Sequence, residues 1–349
     1  MSVARAYISR IGTAVPQHEV HGLFVDWARE RIEAPREAAL FGRMAARSGI
    51  DRRWSVLSPA EGGSQVVGGF YDGPMPSTAA RMAIYAEEAP RLALAAIQEL
   101  GNLGTITHLV VASCTGFVAP GVDQIIARAL GLPGNVERTL VGFMGCYGAV
   151  AALRVAHHLV RSTPEARVLV VAVELTTLHL QGDDRIEPLL GMLQFGDGAA
   201  AAIVSGEPVG LALDRFAAAT VPGSSDLIRW TVGDEGFIMQ LSGAVPGCIA
   251  EALSDPATRE ALIGTAPVET WAVHAGGRSV LDAVERTLDL PADALRHSRT
   301  VLAEHGNMSS ATLLFVLQRV LAGEPVERGM ALAFGPGLAA EGFAFRSAA

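Results

Sequence analysis

Short, densely apolar runs alternate along the chain with longer segments whose apolar residues recur every three or four positions. From residue 106 this rhythm becomes regular. The run ITHLVVASCTG (106–116) predicts a buried strand, and VDQIIARALGL (122–132) a helix stopped by Gly131 and Pro133. A short strand then enters the bend VGFMGCYGA (141–149), which turns into helical spacing. ARVLVVAVELTT (166–177) and DGAAAAIVSG (197–206) predict two more strands. Neither alternates polar with apolar, the pattern of strands covered on both faces.

The second half replays this order. ETWAVHAGG (269–277) answers the first buried strand, and SVLDAVERTLDL (279–290) answers the first helix. A Gly-Asn bend leads into the helix MSSATLLFVLQRVL (308–321), the counterpart of the Cys146 bend and its helix. RGMALAFGPG (328–337) and AEGFAFRS (340–347) answer the two later strands. Element order alone carries the repeat. It predicts an α/β chain of two βα halves, 1–205 and 206–349, with equivalent helix N-termini near a shared centre. Cys146 and Asn307 would meet there.

The first 90 residues read as mixed structure. ARAYISRIGTAVP (4–16) predicts a strand leaving through a Gly/Pro turn. Residues 24–50 have helical periodicity and carry Arg43 and Arg47 one turn apart on one face. The stretch SPAEGGSQVVGGFYDGPMPS (58–77) predicts a loop.

Composition narrows the chemistry. The 349 residues are 50% hydrophobic and 18% charged, enough for a large core. A formal charge of −9 argues against general nucleic-acid binding but not against a local basic patch. All 27 Lys+Arg residues are arginines, which removes Schiff-base chemistry, lysine-anchored pyridoxal phosphate and the P-loop lysine. Cys114, Cys146 and Cys248 form neither a disulfide framework nor a zinc ribbon, and no metal site is expected. The beginning lacks a signal-peptide core, and the longest apolar run, Leu140 to Leu153, is too short to span a membrane. A soluble protein of the reducing cytoplasm is expected, without integral membrane association.

Cys146 sits where a Gly-rich bend becomes a helix, and a helix N-terminus favours the thiolate. Gly145 and Gly148 allow close backbone approach, so a thioester carbonyl could reach the sulfur. The plain alternative is an inert buried thiol. Among nine histidines, His157 and His158 read as ordinary mid-helix positions, His18, His21 and His297 as exposed, and His108 as a strand start. His274 ends an apolar strand before AGG, at the sheet edge where open α/β folds place functional groups. Asn307 opens a predicted helix, as an N-cap or as a neutral N–H donor. A Cys–His–Asn set suits acyl transfer followed by stabilisation of an enolate. It equally suits a papain-like hydrolase, or a non-catalytic acyl-coenzyme A binder if Cys146 is structural.

At this point five segments, in order, resemble one family. They are GCYGA (145–149), FGDGAAAAIVSGE (195–207), WAVHAGGRSVLDAVE (271–285), GNMSSATLLFVL (306–317) and FGPG (334–337). The chain resembles the type III polyketide synthases, the chalcone-synthase-like branch of the thiolase superfamily. SCTGFVAPGVD (113–123) is similar to bacterial members. The resemblance implies a thiolase-like fold, duplicated halves forming a five-layered αβαβα core, and a homodimer. It implies acyl-coenzyme A and malonyl-coenzyme A as substrates, with no metal or redox cofactor.

By the same resemblance, Cys146 accepts the acyl group, as a thiolate paired with His274, while His274 and Asn307 promote malonyl decarboxylation. Phe195 and Phe237 are gatekeepers between the coenzyme A tunnel and the cavity. Arg43 and Arg47 hold coenzyme A phosphates, with Leu40 where a third basic residue stands in relatives. Ser279 touches the pantetheine arm. Cys114, Thr176, His179 and Ser309 shape the pocket, His179 adding bulk and polarity. Ala119 replaces a methionine that crosses the dimer interface, leaving room for a fatty acyl starter and hence an alkylpyrone or alkylresorcinol product. The alternatives are a short or aromatic starter giving a phloroglucinol- or chalcone-type product, or a β-ketoacyl synthase III-like enzyme. The latter shows HQAN where this chain has HAGGRSV.

Overall fold

The computed structural model describes residues 4–59, 68–71 and 73–348. Its strands are β1 (Ala6–Ala14), β2 (His18–Glu19), β3 (Trp54–Ser55), β4 (His108–Ser113), β5 (Glu137–Gly142), β6 (Arg167–Leu175) and β7 (Asp197–Ser205). They continue as β8 (Leu211–Thr220), β9 (Ile228–Gly233), β10 (Gly236–Leu241), β11 (Thr270–Val273), β12 (Gly329–Gly335) and β13 (Ala339–Ser347). Nine of these join in the order β11-β12-β13-β8-β1-β7-β6-β4-β5. Strand β1 bonds β7 of the first half and β8 of the second, so one ladder runs across both halves.

The predicted repeat is visible in this ladder. In the first half β4 pairs parallel with β6, and β6 antiparallel with β7. In the second, β11 pairs parallel with β12, and β12 antiparallel with β13. Each half also sends one largely buried helix inward, Gly148–Ser162 from the first and Thr312–Leu321 from the second.

The uniformly apolar strands hide a division of labour. Along β6, Val168, Val170 and Ala172 join a central core with the two inward helices. The alternating Leu169, Val171, Val173 and Leu175 face an outer core with helix Thr78–Gln98. In β12, Ala331 and Ala333 face the central core while Met330, Leu332 and Phe334 face a third, formed with helices Val245–Ser254 and Arg278–Thr287. Period-2 geometry is intact, but both faces meet helices, so no polar phase reaches the sequence. The two halves of the one nine-stranded ladder thus act as two sheet layers, with helices outside each and between them, the five layers of a thiolase-like α/β fold.

Local rules set most boundaries. Helix Val122–Ala129 closes through Gly131 (φ 62), with Gly131 N–H on Arg128 O and Leu132 N–H on Ala127 O, each at 3.0 Å. The periodicity over 24–50 gives two helices, His21–Arg31 and Pro35–Ala46. Pro35 separates them, because it holds Ala34 extended and supplies no N–H. His21 is buried, contrary to expectation, with its Nδ1 accepting from Arg53 Nε at 3.0 Å. His157 is buried too, against the Phe216 ring. The loop expected over 58–77 lies partly outside the described residues; within it, Gly68–Tyr71 form a 3-10 turn.

Candidate active site

Each inward helix is preceded by a tight 3-10 turn, Gly145–Tyr147 in one half and Ser309–Ala311 in the other. Cys146 is therefore held on a turn that leads into its helix rather than on the helix itself. Gly145 has φ 66, and a Cβ there would stand 2.5 Å from Pro336 Cδ. Only glycine fits the turn, and the FGPG loop is what packs against it.

Asn307 lies before the second turn. It is tied to the Phe195 segment by backbone bonds, Asn307 N–H to Gln194 O at 2.7 Å and Gly196 N–H to Asn307 O at 3.0 Å. Its Oδ1 accepts from Ser309 N–H at 2.8 Å and its Nδ2 donates to Gly276 O at 3.2 Å. The carboxamide thus caps the turn and is oriented by it. Both amide atoms stand 4.0 Å from Cys146 Sγ.

His274 continues strand β11 by donating its N–H to Leu332 O, then leaves the sheet at Gly276 and Gly277. Its Nε2 lies 3.1 Å from Ser309 O, a contact that places a proton on Nε2. His274 and Asn307 each hold an N–H on a backbone carbonyl where a substrate oxygen could displace it. Two such donors in a dry wall suit a developing oxyanion.

Burial acts on the proton of both groups. Desolvation pushes the Cys146 thiol up to about 11, against hydrogen bonding from Ser309 and Asn307. It pushes His274 down to about 4. Both shifts favour the neutral pair over the resting ion pair that the resemblance implies. The helix terminus and polar neighbours do not outweigh the loss of water.

These three side chains line one cavity of 530 Å3 that reaches outward to Leu40 and Met44. Cys114, Thr176, Phe195, Ser279 and Ser309 line it as well. Arg43 and Arg47 border neither this cavity nor its neighbour; they are exposed on or next to helix Pro35–Ala46, beside the rim residues Leu40 and Met44.

Two expected pocket residues, Phe237 and His179, do not border the catalytic cavity. Phe237 is buried and stacks on His179, ring centroids 4.3 Å apart, and borders neither large cavity. Met239 and Leu241, on the same face of the β9–β10 ribbon by strand alternation, form the wall instead. His179 borders a neighbouring cavity only, and its polarity is spent: Nε2 donates to Thr115 O at 2.7 Å and Nδ1 accepts from Phe237 N–H at 3.0 Å. Ala119, expected at a dimer interface rather than in its own pocket, is exposed and borders neither cavity of its own chain.

Sequence reading also missed Glu174. This wholly buried carboxylate accepts from Cys114 N–H (3.0 Å), Cys114 Sγ (3.3 Å), Thr115 Oγ1 (2.8 Å) and Ser310 Oγ. It fastens the ends of β4 and β6 to the turn that carries Ser309. Its signal was visible, a single acid in a strand whose neighbours are all apolar. Burial holds it above the usual carboxylate range and keeps Cys114 well above the ordinary thiol range.

Solved structures share this fold over essentially their full lengths. PKS-I from the brown alga Ectocarpus siliculosus is 29% identical with TM-score 0.87, each chain covered to 99%. The C-terminal type III polyketide synthase domain of Steely1 from Dictyostelium is 25% identical with TM-score 0.87, covering 99% of this chain and 100% of that one. CsyB complexed with CoA-SH is 25% identical with TM-score 0.84, covering 98% and 100%. Residues 2–208 match the family model for the N-terminal domain of chalcone and stilbene synthases, and residues 213–349 that for the C-terminal domain. With both family domains matched in order, the chain belongs to the chalcone and stilbene synthases and is a type III polyketide synthase, a decarboxylating condensing acyltransferase.

Proposed function

We propose that the enzyme loads a fatty acyl group from coenzyme A onto Cys146 and extends it with malonyl-coenzyme A to an alkylpyrone or alkylresorcinol. The observation that carries the catalytic assignment is the meeting of Cys146, His274 and Asn307 in the wall of one 530 Å3 cavity. The apolar side chains Ile228, Trp230, Val245 and Ile249 in that cavity support an alkyl starter.

In this cycle the Cys146 sulfur attacks the starter thioester as its proton passes to His274, and coenzyme A leaves as the thiol. Malonyl-coenzyme A then loses CO2, and its enolate oxygen takes the His274 and Asn307 N–H groups from their carbonyls. The enolate carbon attacks the Cys146 thioester, returning the lengthened chain to coenzyme A. Arg43 and Arg47, beside Leu40 and Met44, would meet the coenzyme A phosphates. No metal or redox cofactor enters the cycle.

We also propose a homodimer. Edge strand β5 leaves one side of its ladder unpaired, and Phe117 (66% exposed), Leu140 (52%) and Phe143 (63%) present large apolar surface on or near it. A second copy would cover both. Among the described residues no helix is long and apolar enough to cross a membrane, and a cytoplasmic site of action fits reduced thiols.

The test is mass spectrometry of products from a panel of starter thioesters with malonyl-coenzyme A, alongside CO2 release from radiolabelled malonyl-coenzyme A. Cys146→Ala should keep CO2 release and lose chain extension. Products from aromatic or short starters alone would overturn the fatty acyl reading, and absence of CO2 release would overturn the cycle.

A further inference from the structure

Two segments of the first half hold Asn307 in place. Gln194 and Gly196 take its backbone N–H and carbonyl. Residues 51–54 hold the chain just before it: Asp51 N–H and Arg52 N–H donate to Ala303 O at 2.8 and 3.0 Å, and Trp54 Nε1 donates to Glu304 O at 2.9 Å. Val56 N–H then donates to Asp197 Oδ2 at 3.0 Å, which carries the same strap to the start of β7. In the middle of the strap stands Arg53, 3% exposed.

The Arg53 side chain joins these two segments. One terminal nitrogen donates to Met192 O at 3.2 Å and to Phe195 O at 2.6 Å, on either side of Gln194. Its stem lies against the bend that precedes Asn307. A Cβ on Gly306 would stand 2.9 Å from Arg53 Cγ and 2.8 Å from Gln194 O, and Gly306 has φ 67, so both space and backbone call for glycine. His21 Nδ1 fixes the guanidinium from the other side, accepting from Nε at 3.0 Å. Burial and the adjacent cation lower His21 to about 4, so this acceptor is present at neutral pH.

A cation is a costly way to fill this space. Burial pushes Arg53 down to about 10, and Glu19 and Asp197 act on it as charges without an ion pair among the described residues. Its second terminal nitrogen is buried without a partner. What distinguishes the guanidinium is a rigid fork that reaches His21 on one side and two carbonyls on the other. An apolar side chain would pack here and hold neither carbonyl. Arg53 does not border the catalytic cavity, so its route to the chemistry runs through Asn307.

We infer that Arg53 is a positioning residue for the enolate step, clamping the Gln194 segment and the Gly306 bend around Asn307 so that its N–H meets the oxygen formed when malonyl-coenzyme A loses CO2. This rests on the role given to Asn307 above. Cys146 stands outside the clamp, because its turn leans on Pro336.

A double-mutant cycle tests the assignment. Arg53→Lys keeps the charge and loses the fork. CO2 release from radiolabelled malonyl-coenzyme A should fall about 10- to 100-fold, the scale of a small misplacement made away from the chemistry. Starter loading, read as the mass of the acyl-enzyme, should fall far less. In an Asn307→Ala background the same substitution should add little, since the group it positions is gone. Losses that multiply in the double mutant, or equal falls in loading and CO2 release, make Arg53 plain scaffold and overturn this inference alone. Wild-type CO2 release by Asn307→Ala overturns the role of Asn307 itself. If Arg53→Lys does not fold, His21→Leu and His21→Asn carry the test. The first frees Arg53 Nε and should lower CO2 release with loading steady; the second returns an acceptor near Nδ1 and should restore it. The same CO2 release in both overturns the clamp.

Discussion

Asn307 stands with both polar atoms of its carboxamide 4.0 Å from the Cys146 sulfur, yet only one orientation satisfies its neighbours. Ser309 N–H needs an acceptor and Gly276 O needs a donor, so Oδ1 faces the turn and Nδ2 the carbonyl. The turn that shapes the site also selects its proton donor. Asn307→Asp keeps the acceptor for Ser309 and removes the donor, setting a carboxylate beside the sulfur. Malonyl-coenzyme A decarboxylation should fall about 100- to 1,000-fold, the usual loss for one oxyanion donor. Starter loading, read as the mass of the acyl-enzyme, should fall far less. Equal losses in both would place Asn307 in the scaffold rather than in the enolate step.

The thiol makes a second prediction. With Cys146 held up at about 11, the thiolate fraction of the free enzyme rises about tenfold per pH unit between pH 7 and 10. Iodoacetamide labelling of Cys146, followed by peptide mapping to separate it from Cys114 and Cys248, should climb through that range. A plateau already reached below pH 8 would mean that the resting site holds an ion pair after all.

Gly145 supplies a third. Gly145→Ala must either move Pro336 or abandon φ 66. Backbone strain of this kind costs on the order of 1–3 kcal/mol, and here it falls on the turn that carries Cys146, the proposed nucleophile. We expect kcat for chain extension to drop by more than tenfold while the thermal midpoint moves by only a few degrees. Wild-type kcat in Gly145→Ala would show that the FGPG loop yields and the turn does not need glycine.

Much of this was legible from the chain because it rests on local rules. Gly131 ends its helix by a φ that other residues resist, and the repeat of strand, bend and helix survives in both halves without shared residues. The Cys146, His274 and Asn307 assignments came from bends at strand and helix ends, which sequence marks well. What stayed hidden depends on contacts between distant segments. Phe237 reads as a pocket aromatic, but ribbon register sets it on His179 and leaves Met239 and Leu241 to form the wall. His21 reads as a surface residue until Arg53 arrives from 32 positions away. The bend alone does not report the thiol's proton, because the desolvation that pushes Cys146 up is a property of the whole packed site.

His179 offers the last prediction, and its sign follows from burial. Desolvation lowers its folded pKa to about 4 from 6.5, so between those values the unfolded chain binds the proton and the folded one does not. Stability is therefore complete above pH 6.5 and is lost as pH falls toward 4, by about 2–3 kcal/mol if this residue acts alone. His179→Ala removes that term at acid pH but leaves Phe237 N–H and Thr115 O unpaired and opens a void beneath the Phe237 ring. At pH 7.5 it should lower unfolding stability by about 2–4 kcal/mol, as buried truncations with lost hydrogen bonds do. The two effects oppose each other on acidification, so the gap between mutant and wild type in urea midpoints should narrow from pH 7.5 to pH 4.5. A gap that stays constant would show that the folded imidazole takes up its proton over the same pH range as the unfolded chain, and that burial does not control it.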